Sequence, residues 1–382
     1  MFDKKTTKKH ICSQIFILLY VEKLYLLALQ NIRGIGPVRA KSLIAYCGSA
    51  EAIFHTSEQK LLKIPNIGES TVKEISNGAY LKEAEAELNF CEKNDIEVMS
   101  FYEDKYPHLL KQISDAPIVL FKKGNLNLNE KTAIAIVGTR DATQYGRQIT
   151  EKFAIAFAQA NVNIVSGLAI GIDIIAHKTA LQHKGSTTCV LAHGLDRIYP
   201  SHHKGIAESM LEKGAWITEY PSKTQPDATN FPERNRIIAG MCLATLVVEA
   251  RPKGGALITA HIAFSENREV YAIPGDIERN SSKGTNDLIK KNIAKLVTEP
   301  EDVLTDLNLI QILKKEAKTS AITMPLSAEE QKITELLKQK DCVIDEIILH
   351  TEMTPSKLLS VLLEMEFKGI VAQLPGKKFR LM

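Results

Sequence analysis

The chain has 382 residues, 45% hydrophobic and 24% charged, which supports two or three domains with buried cores and marks an ordinary globular protein. Its net charge of +3 is too small to infer a polyanionic partner from the total. The excess is local: residues 131–300 hold 20 Lys and Arg against 16 Asp and Glu, while 1–130 hold 17 against 16 and 321–382 hold 8 against 9.

The start reads KKTTKKH and then IFILLYV, an apolar run cut short by Glu22-Lys23 with no small-residue cleavage site after it. Residues 1–23 are therefore expected to be a basic extension entering the first helix and not a signal peptide. No stretch approaches the ~18 apolar residues of a membrane span. Cys12, Cys47, Cys91, Cys189, Cys242 and Cys342 are scattered without a CxxC, the usage of reduced cysteines in a cytoplasmic chain.

Residues 24–95 have helical period and contain two related turns, IRGIGPVRAKSLI (32–44) and IPNIGESTVKEI (64–75). They read as a helix-hairpin-helix, SAM-like domain. Gly34, Gly36 and Gly68 permit tight turns whose amides open a helix N-terminus, a seat for phosphate. Asn66 stands where the second copy lacks a glycine, and Arg39 and Lys41 flank the first. Helix packing explains such turns as well as a DNA contact does.

From 96 to 305 short apolar, β-branched runs alternate with helix-period segments: TAIAIVG, VNIVSG, STTCVLAHG, AWITEY, ATLVVEA and VYAIPGD. This alternation predicts an α/β, Rossmann-like domain of about six parallel strands covered on both faces. Ligands of such sheets lie beyond the carboxyl ends of the strands. The residues there are Gly138-Thr139-Arg140, Ser166 through Gly171, His193-Gly194, Pro221, Glu249-Ala250-Arg251 and Pro274-Gly275. A dinucleotide would require G-x-G-x-x-G after the first strand and an acidic residue ending the second, whereas the chain offers Gly138, then Gly146, then Ser166. What remains is an expected anion site: amides at Gly138-Thr139 and Gly167 to Gly171, a helix N-terminus near Ile172, and Arg140. Asp173 is expected to cap its own helix.

The ordered run VGTRDATQYGRQ, IVSGLAIGIDIIAHKTAL, LAHGLDRIYPSHHK, ITEYP, FPERNRIIAGMCLATLVVEA, GGALITAHIAFSENREVYAIPGD and GTNDLI closely resembles the DprA/Smf family of bacterial DNA-processing proteins. The resemblance is dense from 132 to about 297. It implies binding of single-stranded DNA, a homodimer, and loading of a RecA-type recombinase during natural transformation. The family's phosphate motif falls on Gly138, Thr139 and Arg140, and its glycine loop on Ser166, Gly167, Gly171 and Asp173. Its basic position after Tyr-Pro falls on Lys204, and its Phe-Pro-x-Arg-Asn-Arg motif on Phe231, Pro232, Arg234, Asn235 and Arg236. Where many members read Ser-Gly-Ser-Leu-Ile-Thr, this chain has Lys253-Gly254-Gly255-Ala256 before Leu257; lost hydroxyls there are offset by Lys253 as a further phosphate contact.

The residues themselves support a cationic track, since paired guanidiniums of Arg234 and Arg236 at a helix start favour phosphates, with an internal ion pair as the alternative role. His202 and His203 lie in an exposed turn without a third ligand, so neither a metal nor a cofactor is expected. A second function class stays open: related Rossmann-like proteins hydrolyse the N-glycosidic bond of nucleotides through a glycine loop and a following glutamate. Here the loop is Pro252 to Ala256 and the acid position near Thr259-Ala260 carries no Glu, which favours binding over catalysis. Residues 306–326 read as a polar linker, and 327–382 as a winged-helix-like domain of three helices and a hairpin turning at Pro375-Gly376. Its candidate recognition helix holds one Lys and two Glu, a poor duplex reader and as good a protein contact.

Overall fold

The computed structural model describes residues 19–310 and 327–381, apart from 339, 352, 368–369 and 375–377. The N-terminal extension up to residue 18, most of the expected linker and the Pro375-Gly376 turn lie outside the described residues. The chain forms two compact units that divide between Asn308 and Leu309.

The first unit begins with helices at 19–31, Pro37–Cys47, Ala50–His55, Glu58–Leu61, Glu69–Ser76 and Ala79–Lys93. Gly36 and Gly68 are the extended N-caps of two of them, and neither helix start has a side-chain cap. Two residues before each cap the chain turns through the left-handed region, at Gly34 (φ 83°) and at Asn66 (φ 62°). Asn tolerates that conformation better than other side chains, so the second hairpin keeps the geometry of the first despite its missing glycine.

This helical part packs against one face of a nine-stranded sheet. The strands are β1 (Glu97–Ser100), β2 (Val119–Lys123), β3 (Ala133–Val137), β4 (Asn163–Ser166), β5 (Thr187–Val190), β6 (Ala215–Thr218), β7 (Ala244–Val247), β8 (Glu269–Ala272) and β9 (Lys295–Leu296). They lie in the order β1-β2-β6-β5-β4-β3-β7-β8-β9. The six expected strands, β3 to β8, run parallel and are nearly all buried, as a sheet covered on both faces requires. β1 and β2, which pair antiparallel beyond β6, and the two-residue β9 are additional to the expected strands. Gln30 docks the helical part by donating to Val119 O (3.2 Å) and Glu219 O (2.9 Å) and accepting from Val119 N (2.9 Å). Glu87 accepts from Ser222 N (2.7 Å) and Ser222 Oγ (2.5 Å).

Alternate residues of a strand feed opposite faces. Cys189 and Trp216 join the core shared with the helical part, while Val190 and Ile217 join the core under helices Asn230–Gly240 and Gly255–Ser265. No helix among the described residues is long and apolar enough to cross a membrane.

The second unit has helices Ala328–Leu337, Ile344–Thr351 and Pro355–Phe367 around its own core of Ile333, Leu336, Leu358, Leu362 and Met365. Ser327 and Glu330 close a capping box at its first helix. Strands Val371–Leu374 and Lys378–Leu381 pair antiparallel, and Cys342–Val343 adds a third at the edge, completing a winged-helix arrangement.

Candidate functional site

The parallel strands change direction of travel at β3: β4 lies on one side of it and β7 on the other. The loops leaving β3 and β7 therefore part, and a crevice of about 580 Å³ opens between them at the carboxyl edge. Gly138, Thr139, Arg140, Asp141, Tyr199, Phe231, Arg234, Asn235, Arg251 and the Gly254-Gly255-Ala256 turn line it.

Helix Gly255–Ser265 starts on the crevice wall without a side-chain cap, whereas at the helix starts after β3 and β4 a carboxylate of the chain lies at or just ahead of the first turn. Helix Gln144–Gln159 begins after Thr143, whose amide and hydroxyl donate to the buried Glu249 (3.0 and 2.6 Å). Ahead of helix Ile172–Gln182, the Asp173 carboxylate accepts from Gly167 N (3.1 Å) and Ala169 N (3.4 Å). Asp173 thus closes the preceding loop instead of capping its own helix start. Burial raises its pKa, opposed by Arg234 and by those amides.

The expected cradle of free amides is corrected accordingly. Thr139 N donates to Glu249 O (2.8 Å), Ile172 N to Thr139 O (3.2 Å), and the Gly167 amide belongs to Asp173. The Ser166 hydroxyl is buried and donates to Ile136 O (2.6 Å), so it holds β4 to β3 and faces no ligand. Gly138 packs under Ile172, and Gly171 takes φ 84° so that the loop can lie against the carbonyls of Thr139 and Arg140. These glycines shape the crevice wall.

The cations divide more sharply than their spacing in the chain. Arg140 is exposed and has no ion pair among the described residues; its guanidinium lies 5.7 Å from the centre of the Phe231 ring. Arg234 is buried, with Nη1 donating to Gly167 O (3.1 Å) and to the Val190 carbonyl, so it ties the ends of β4 and β5 together. Asn235 lines the crevice and accepts from Arg234 Nε (3.3 Å). Arg236 does not join this track. It pairs with Glu219 (2.6 Å) and Asp115 (3.5 Å) and lines a separate cleft beside Gln30 and Gly36, under the helical part. Residues two apart on a helix do not share a face.

Lys204 opens helix Lys204–Met210 and is exposed, 3.8 Å from Glu208 and not part of the crevice wall. Lys253 is exposed beside the Gly254 N-cap of helix Gly255–Ser265, a helix start without a side-chain cap. Arg251 reaches across the mouth of the crevice to Asp141 (2.6 Å). Of the histidines expected in an exposed turn, His203 is buried with Nδ1 2.9 Å from Leu168 O. The structural part of Glu249 carried no signal in the sequence beyond its position after β7, and Tyr199 none beyond its place in the Tyr-Pro ahead of Lys204. Gly34, Gly36 and Gly68 are solvent-exposed, with Gly36 also on the wall of the cleft beside Arg236.

The family model described as DNA recombination-mediator protein A matches residues 97–308. A SAM-like helix-hairpin-helix tandem matches 26–79 and a DprA winged helix domain 317–377. Protein Smf of Synechocystis sp. is 30% identical over 94% of this chain and 98% of its own length. The X-ray structure of DNA processing protein A from Streptococcus pneumoniae superposes with a TM-score of 0.64 at 34% identity, covering 74% of this chain and 97% of that one. DNA processing protein A from Helicobacter pylori, whose structure is described for its single-stranded DNA binding mode, gives a TM-score of 0.51 at 27% identity over 56% of this chain and 95% of that one.

Proposed function

Because this chain belongs to the DprA/Smf family of DNA-processing proteins, we propose that it binds single-stranded DNA in the crevice at the β3–β7 switch point. The observation that carries this reading is Arg140, an exposed guanidinium without an ion pair among the described residues, held at the Phe231 ring in a crevice whose wall also carries the uncapped start of helix Gly255–Ser265. A dinucleotide would set its pyrophosphate at the helix start after β3, and there Thr143 already donates to the Glu249 carboxylate. The crevice suits a strand whose phosphates meet side-chain cations. Lys253, Arg251 and Lys204 extend the cationic surface from Arg140, and Arg234 fixes the wall behind it. The Helicobacter pylori relative supports the same substrate.

In this reading the protein is a recombination mediator and no enzyme. It acts in the cytoplasm as a homodimer and passes the bound strand to a RecA-type recombinase. The helix-hairpin-helix turns at Gly34-Gly36 and Gly68 are additional contact points for phosphate. Thr259, where nucleotide N-glycosidases of related fold place an acid, is buried and bears no carboxylate. The test is anisotropy of labelled oligonucleotides, single- against double-stranded, alongside an assay for free base from nucleotides. Tighter single-strand binding without base release is expected. Release of base, or no binding of single strands, overturns the reading.

A further inference from the structure

Cations alone do not separate a single strand from a duplex, because both carry phosphates; the faces of the bases are available only in the single strand. An exposed ring inside the crevice is the feature that could read them. Tyr199 lines the crevice, is 49% exposed, and its hydroxyl makes no hydrogen bond to any described residue. Its only ring partner among the described residues is Phe231, with centroids 6.1 Å apart and planes at 51°. Phe231 is itself committed to cations: the guanidiniums of Arg140 and Arg234 lie 5.7 and 5.9 Å from its centre. Tyr199 is therefore the ring left over, one aromatic step from the phosphate-binding guanidinium. Ile258, which also lines the crevice and is 41% exposed, adds apolar surface to it.

We propose that Tyr199 is the base-stacking residue of this crevice and the source of its preference for unpaired strands. The proposal rests on the crevice being the single-strand site. The ring contributes through its face, so its hydroxyl is dispensable and its effect carries no salt dependence.

The experiment uses the full chain with a thymidine oligonucleotide of about 20 nucleotides and an abasic strand of the same length, enough to span a site of ordinary size. Tyr199→Ala should weaken thymidine binding about 5- to 150-fold. It should leave abasic binding within twofold and the salt slope unchanged, while Tyr199→Phe restores thymidine binding. Equal weakening of both strands, or an unchanged thymidine affinity in Tyr199→Ala while the wild type binds, overturns the stacking role and leaves the phosphate site standing. If the wild-type chain binds neither strand, the crevice assignment and this proposal both fall.

Discussion

The Glu249 carboxylate fills the space that a side chain on residue 146 would need: a Cβ built on Gly146 falls well inside van der Waals contact of Oε2 and Cδ. The second glycine after β3 therefore admits a carboxylate of the chain, where the glycine of a dinucleotide fold admits a pyrophosphate. Gly146→Ala should destabilise the first unit by about 1–3 kcal/mol through overpacking. In a Glu249→Ala background the added methyl should cost much less, because the oxygen it meets is gone and Ala favours the helix. Equilibrium denaturation of the four proteins measures this coupling, and additive effects would refute it.

Arg140 and Arg236 should separate cleanly by experiment. Arg140→Ala removes an exposed cation, so folding stability should hold while single-strand affinity falls uniformly across base sequences and the salt slope drops by about 0.7. Arg236→Ala strips the partner from Glu219, whose pKa burial already raises, and should cost about 3 kcal/mol or more of stability. Its salt slope should stay that of the wild type. A reversed pattern would place the phosphate track on the Arg236 side of helix Asn230–Gly240.

The parallel strands and their rim were legible because each β-branched run ends in glycine or a small residue and hands over to a helical period. β1 and β2 were not, since they stand outside that alternation and are fixed by pairing with β6, far along the chain. Arg234 and Arg236 do not form one track, because their spacing of two on a helix turns them apart, a signal that the sequence did contain. That Arg234 is internal was not readable, because its partners Gly167 and Val190 come from two other strand ends. The amide cradle failed partly for the same reason, since Thr139 N meets the main-chain carbonyl of Glu249 from the neighbouring β7, and partly for a local one, since Gly167 N and Ala169 N meet Asp173 only six and four residues on.

Asp141 competes for Arg251 with any phosphate at the crevice mouth. The pair is short, 2.6 Å, but exposed on both sides, so it adds at most about 1 kcal/mol to stability. Asp141→Asn should free the guanidinium and remove a repelling charge, raising single-strand affinity up to about fivefold at low salt. The gain should shrink as salt screens the crevice and vanish in the double variant with Arg251→Ala. An unchanged affinity at low salt would show that Arg251 takes no part.

His177 should make the first unit sensitive to mild acid. It is fully buried, with Nδ1 2.6 Å from Thr187 Oγ1, and that hydroxyl donates onward to Ile164 O. Nδ1 must then carry the hydrogen, and Nε2 has no partner among the described residues. A second proton would be buried near His203 and Arg234, and burial first, with those charges, lowers the pKa from 6.5 to about 3. Below 6.5 the unfolded chain takes up a proton that the folded chain refuses. Stability from this group is therefore complete above about pH 6.5 and falls by about 1.4 kcal/mol per pH unit toward pH 3. His177→Asn can keep a hydrogen bond to Thr187 and does not titrate. Urea unfolding at pH 7.5 and pH 5 should show the stability difference, wild type minus variant, decreasing by about 2 kcal/mol. His193 and His203, whose pKa values burial also lowers, contribute to both proteins and cancel. A difference that does not change with pH would mean that His177 binds its proton equally in the folded and unfolded chain.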